Sequence, residues 1–161
     1  MQVQEGGFYA ENSESLCGHF DIGGVFDDYP KFEGCREFFE LAREGQYKLV
    51  ISDITRSELA LAPQNVRDFL DSLPHEEMEV CFVNEEIEEL GQKYVEGGVL
   101  SDDDFADAMH VATATINEVD YIVSCNFKHL VRASQILQFN AINFANGYTK
   151  HLDIRRPGDM L

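Results

Sequence analysis

The chain has 161 residues, 44% of them apolar, and a formal net charge of −18. That length suits one domain able to bury a core without disulfide or metal staples, and neither disorder nor a second domain is expected. No run of about 18 apolar residues is present, so no membrane-spanning helix is expected.

Residues 1–14 hold no Lys or Arg and no apolar stretch of signal-peptide length, which reads as a cytoplasmic chain. Cys17, Cys35, Cys81 and Cys125 are widely spaced without a C-x-x-C pair. Free thiols in or near the core are expected, not a zinc site. The charge is uneven: residues 1–107 balance to −19 and residues 108–161 to +1. So acidic a surface repels nucleic acid and favours a basic partner or a divalent cation, though solubility alone accounts for most of it.

Along the chain, the runs GGFYA (6–10) and LCGHFDIGGVF (16–26) are two candidates for a first strand, separated by the polar ENSES segment. Residues 31–45 read as a helix, with Phe32, Cys35, Phe38, Phe39 and Ala42 at helical spacing and Gly45 as its stop. YKLVIS (47–52) is a buried strand. Asp53 or Thr55 is placed to cap a helix starting near Arg56 and ending before Pro63. A helix over 64–73, a strand at 79–83 and a helix over 84–98 stopped by Gly97 follow. Residues 101–117 form a helix whose apolar stripe is Phe105, Ala108, Met109, Ala112 and Ile116. DYIVSC (120–125) is a strand, 128–137 a short helix, and AINF (141–144) the last strand. We read one domain over 1–161, with irregular ends at 1–15 and 150–161. Apolar strands alternating with helices predict an α/β fold with a parallel sheet covered on both faces.

In such folds ligands sit at the carboxyl ends of the strands. The acids expected there are Asp53 and Glu58 after the second strand, Asp21, Asp27, Asp28 or Glu11 near the first, and Asp102, Asp103, Asp104 and Asp107 on the helix before DYIVSC. Asn126 follows that strand. On one helix, Asp103, Asp104 and Asp107 share a face, and their mutual repulsion would be relieved by a cation. Oxygen donors of this kind suit Mg²⁺ or Mn²⁺. The plainer reading of Asp102–Asp104 is a helix start favoured by the dipole, a reading that Asp107, taken to lie beyond the first turn, fits poorly. For Glu58 it is a capping box with Thr55. His110 and His129 share no metal spacing. No P-loop, G-x-S-x-G or G-x-G-x-x-G is present.

The segment VISDITRSEL (50–59) resembles the second strand and following helix of PIN domains, with Glu58 at the family's glutamate. DDDFADAMHVATATINEVDYIVSCNFKHLV (102–131) resembles the third and fourth PIN motifs, with Asp107 at the helical aspartate, and IGGVFDD (22–28) the stretch after the first strand. The similarity spans about residues 20–145. It implies a three-layer α/β/α sandwich with a mainly parallel sheet. It also implies acids converging on Mg²⁺ or Mn²⁺ and hydrolysis of RNA phosphodiesters, many relatives being VapC-type toxins of toxin–antitoxin pairs. Two positions depart from the pattern. The first-strand acid has no clean copy, a gapless match placing Gly18 there, with Asp21 or Glu11 as substitutes. Asn126 stands where many members have Asp.

The expected site is therefore Glu58, Asp107 and a first-strand acid on the cation, assisted by Asn126 or Asp103, with RNA approaching past Lys128 and Arg132. The expected partners are RNA, an antitoxin protein and a second copy of the chain. The rival expectation is a PIN-like protein-binding module that has lost its chemistry.

Overall fold

The computed structural model describes residues 14–17 (backbone only), 33–124 and 130–161. In chain order the described elements are β1 (Glu14–Cys17), α1 (Cys35–Arg43), β2 (Tyr47–Ser52), α2 (Asp53–Ala60), α3 (Gln64–Asp71), β3 (Met78–Cys81), α4 (Glu85–Glu96), α5 (Phe105–Ile116), β4 (Tyr121–Val123), α6 (Ala133–Ala145) and β5 (Asp153–Arg155). All strand pairs are parallel, and the order across the sheet is β3-β2-β1-β4-β5. The fold is thus α/β with parallel strands, as the uninterrupted apolar runs predict.

β2 shows how the sheet divides the core. Side chains alternate along a strand. Leu49 and Ile51 therefore enter one cluster, with Phe38, Phe39, Val66 and Leu73. Val50 enters the other, with Ile87, Leu90, Tyr94, Val111 and Phe139. α1 and α3 pack into the first cluster, and α4, α5 and α6 into the second.

Residues 108–115 of α5 are all buried, so this helix is enclosed rather than striped. The expected stripe holds at Ala108, Met109 and Ala112, but Phe105 is 37% exposed. Tyr94 of α4 donates its hydroxyl hydrogen to Asn143 of α6, and the Asn143 amide donates to Thr115 of α5 at 3.1 Å. This buried link satisfies polar groups that would otherwise oppose packing.

Several expectations are corrected. AINF (141–144) is not a strand but part of α6, which runs from Ala133 to Ala145 and takes in only the second half of the short helix expected over 128–137. Phe139 and Asn143 are both fully buried at helical spacing, and a four-residue apolar run does not separate strand from helix. The last strand is instead β5, in the polar tail, where buried Ile154 alternates with Asp153 and Arg155.

The first described strand lies at Glu14–Cys17, straddling the polar ENSES segment and the start of the second candidate run. Its Cys17 pairs with Val50 on one side and Ile122 on the other, so β1 is the central strand.

Helix α2 starts at Asp53, not near Arg56. Its N-cap is Ser52, whose Oγ accepts the Thr55 N–H at 3.0 Å. Thr55 is thus the third helical residue, and the Thr55–Glu58 capping box does not form. At the end of α4, Gly97 is the cap and the left-handed residue is Gly98.

Candidate active site at the carboxyl edge of the sheet

Strand order reverses between β1 and β4, since β1, β2 and β3 run outward one way and β4 and β5 the other. In open parallel sheets, a crevice opens at the carboxyl ends of the strands where the order reverses. Two helices bring acids toward this edge. α2 begins directly at the end of β2 and carries Glu58 in its second turn. α5 packs on β1 and β4, and residues 117–120 alone join its C-terminus to the start of β4. Its N-terminus, with Asp107, therefore points to the carboxyl edge. The two helices lie on opposite faces of the sheet, so Glu58 and Asp107 reach the edge from either side of central β1.

Glu58 is exposed and has no hydrogen-bond or ion-pair partner among the described residues. Asp107 is half-buried. Contrary to the expectation from sequence, Asp107 lies in the first turn of its helix, because α5 begins only at Phe105. Asp102–Asp104 form a separate 3₁₀ turn before it. The helix dipole therefore favours Asp107 as well, and Asp103 and Asp107 do not share one continuous helix face. Asp103 is exposed, and Asp104 accepts the Ser101 hydroxyl at 2.6 Å.

Asp53 is a tie rather than a free ligand. Its Oδ1 accepts the backbone N–H of Ile54 at 3.0 Å and of Val83 at 3.1 Å. Ser124, at the end of β4, is buried, and its N–H donates to the Arg155 carbonyl. At the end of β3, burial pushes the Cys81 thiol up from its ordinary value, repulsion from Glu79 adds to this and Lys48 partly offsets it. The thiol stays protonated near neutrality and is no thiolate nucleophile.

Glu11, Asp21, Asp27, Asp28, Asn126, Lys128 and His129 lie outside the described residues. Arg132 is exposed at the start of α6. His110 is buried in α5. Among the described residues, no three His, Cys, Asp or Glu side chains gather as a metal-holding group. The edge also exposes large apolar side chains that motif reading passed over: Ile54 after β2, Phe82 after β3 and Phe105 at the start of α5. Compared with protein families, curated proteins and solved structures, the chain matches none.

Proposed function

We propose that the chain is a metal-dependent ribonuclease of the PIN type, built as an α/β/α sandwich, which hydrolyses RNA phosphodiesters as the toxin of a toxin–antitoxin pair. The observation that carries this reading is the approach of Glu58 and Asp107 to one sheet edge, on either side of the central strand, beside the reversal of strand order. The two separate cores, one on each face of the sheet, support the sandwich.

The donors are all oxygen, as Mg²⁺ or Mn²⁺ requires. Glu58 and Asp107 would hold the ion, with Asp21 or Glu11, Asn126 and Asp103 completing the set. A bound ion supplies a water of lowered pKa and neutralises charge on the phosphate. The Glu58 carboxylate, without a partner among the described residues, is available to orient such a water. Lys128 and Arg132 would meet the RNA backbone at the chain's near-neutral end, away from the acidic first two thirds.

Calorimetry with Mn²⁺ on the wild type and on Asp107→Asn tests this. Binding by the wild type alone supports an acid metal site and justifies RNA cleavage assays. Binding by neither removes the nuclease reading for the isolated chain. Charge reversal at Lys128 and Arg132 that leaves RNA binding intact would remove the proposed RNA path.

A second reading has its own observation. The exposed Ile54, Phe82 and Phe105 at the same edge, within a strongly acidic chain, suit a PIN-like module that docks a basic, apolar protein segment without chemistry. Such a module would bind no Mn²⁺.

A further inference from the structure

A cavity of about 410 Å³ lies away from the acid edge, between the α2–α3 pair and the outer strand β3. Its floor is apolar: Ile51 of β2, Met78 and Val80 of β3, Leu59 of α2 and Leu70 of α3. Ile51 pairs in register with Val80, so the floor is one continuous patch of the sheet. Its polar rim is made by Arg56, Arg67, His75 and Asp71.

Glu58 shares α2 with this cavity but not its side. At about 100° per residue, Glu58 points about 160° away from Arg56 and Ala60 and about 100° away from Leu59, which line the cavity. The cavity is therefore distinct from the candidate active site.

The rim arginines are the unusual feature. The chain has 30 acids against 12 Lys and Arg, yet Arg56 has no ion-pair or hydrogen-bond partner among the described residues. Among the described residues, Arg67 donates only to the side-chain amide oxygen of Gln64, at 2.6 Å. Among the described residues, Asp71 is the one carboxylate on the rim, and neither arginine bonds to it. Two guanidinium groups beside an apolar floor match a ligand with an apolar body and an anionic head. Guanidinium forks bind carboxylates in paired hydrogen bonds, and small-molecule sites commonly combine an apolar lining with a few converging polar groups.

We propose that this cavity binds a small amphipathic carboxylate, its apolar part on the Ile51–Met78–Val80 floor and its carboxylate between Arg56 and Arg67. Octanoate is the probe, with 1-octanol as its neutral counterpart. The readout is NMR of the full chain carrying ¹³C-methyl methionine. Met78 lines the cavity, while Met109 and Met160 lie in cores on either face of the sheet and serve as internal controls.

Octanoate is expected to shift the Met78 methyl saturably, with a dissociation constant below about 1 mM. Arg56→Gln with Arg67→Gln is expected to weaken binding about tenfold, and 1-octanol to bind about tenfold more weakly than octanoate. Arg56→Lys with Arg67→Lys, which keeps charge but loses the fork, should fall between. Both arginines are exposed, so the unshifted Met109 and Met160 signals verify the fold of each variant. The proposal is overturned by an unmoved Met78 signal, by equal binding of the alcohol, or by undiminished binding in the double glutamine variant.

Discussion

The carboxylate of Asp53 fastens the end of β2 to the chain leaving β3: its Oδ1 accepts the Val83 N–H from 30 residues away, and the Ile54 N–H beside it. A carboxylate accepting two backbone N–H groups at a half-buried position is a structural tie. Asp53→Ala should lower stability by about 1–2 kcal/mol, because both donors lose their partner. Asp53→Asn keeps an acceptor oxygen and should lose less than half of that. Urea unfolding midpoints decide the matter, and an unshifted midpoint for Asp53→Ala would show that the tie is not made in solution.

Glu58, five residues along the same helix, should behave in the opposite way. It is exposed and has no partner among the described residues, so Glu58→Gln should change stability by no more than about 0.5 kcal/mol in metal-free buffer. If the acids hold a cation, Mn²⁺ at a hundredfold excess over its dissociation constant stabilises the wild type by about 2.7 kcal/mol. Thermal melts with and without Mn²⁺ should show that gain in the wild type and its loss in both Glu58→Gln and Asp107→Asn. A gain that persists in both variants places the ion elsewhere.

How much of this was legible beforehand depends on what each residue's neighbours enforce. YKLVIS read as β2 residue for residue, because its apolar run is bounded by Gly45 and by the Ser52 cap. α1 was legible from Cys35, Phe38, Phe39 and Ala42, all of which are buried. AINF misled because tertiary packing of Phe139 and Asn143 extends α6 through it. β5 was hidden because a three-residue edge strand needs only Ile154 to be apolar. The positions of Glu58 on the helix after β2 and of Asp107 on the helix before β4 followed from strand–helix alternation. The start of α5 did not, because Asp102–Asp104 form a 3₁₀ turn that resembles a first helical turn in sequence. The cavity over β3 left no signal at all, since its floor uses the same apolar periodicity that an ordinary core uses.

Alkaline pH should destabilise the fold through two tyrosines. Burial raises the Tyr94 hydroxyl well above its ordinary value, only partly offset by its bonds to Thr115 and Asn143. Tyr148 is pushed up to about 12, first by burial and then by donating to the Glu86 carboxylate and by the negative charge of Glu86 and Glu89. Both groups hold their protons more tightly when folded than when unfolded. Their contribution is therefore fully present below the unfolded value near 10 and is lost as pH rises toward the folded values. Melting temperature should fall between about pH 10 and 12, and Tyr148→Phe should flatten part of that fall. At neutral pH, Tyr94→Phe should cost about 1–3 kcal/mol by leaving the Asn143 carbonyl without its donor. A Tyr148→Phe profile that matches the wild type above pH 10 would remove Tyr148 from the account.

Two left-handed glycines should respond unequally to the same substitution. Gly34 caps the start of α1 with φ +82° and faces the C-terminal turn at Pro157–Met160, itself held where Tyr47 donates to the Met160 carbonyl at 2.6 Å. A Cβ at Gly34 would stand 2.5 Å from the Gly158 Cα and 2.8 Å from its nitrogen, both backbone atoms that cannot rotate aside. Gly98, with φ +74°, has open space around the same added atom. Gly98→Ala should therefore cost only the left-handed strain, about 1–2 kcal/mol. Gly34→Ala adds overpacking of about 1–3 kcal/mol to that strain and should loosen the C-terminal turn from α1. Urea midpoints give the two losses, and hydrogen exchange at residues 158–161 should rise in Gly34→Ala alone. Equal losses, with exchange unchanged, would mean that the C-terminal turn does not close on Gly34.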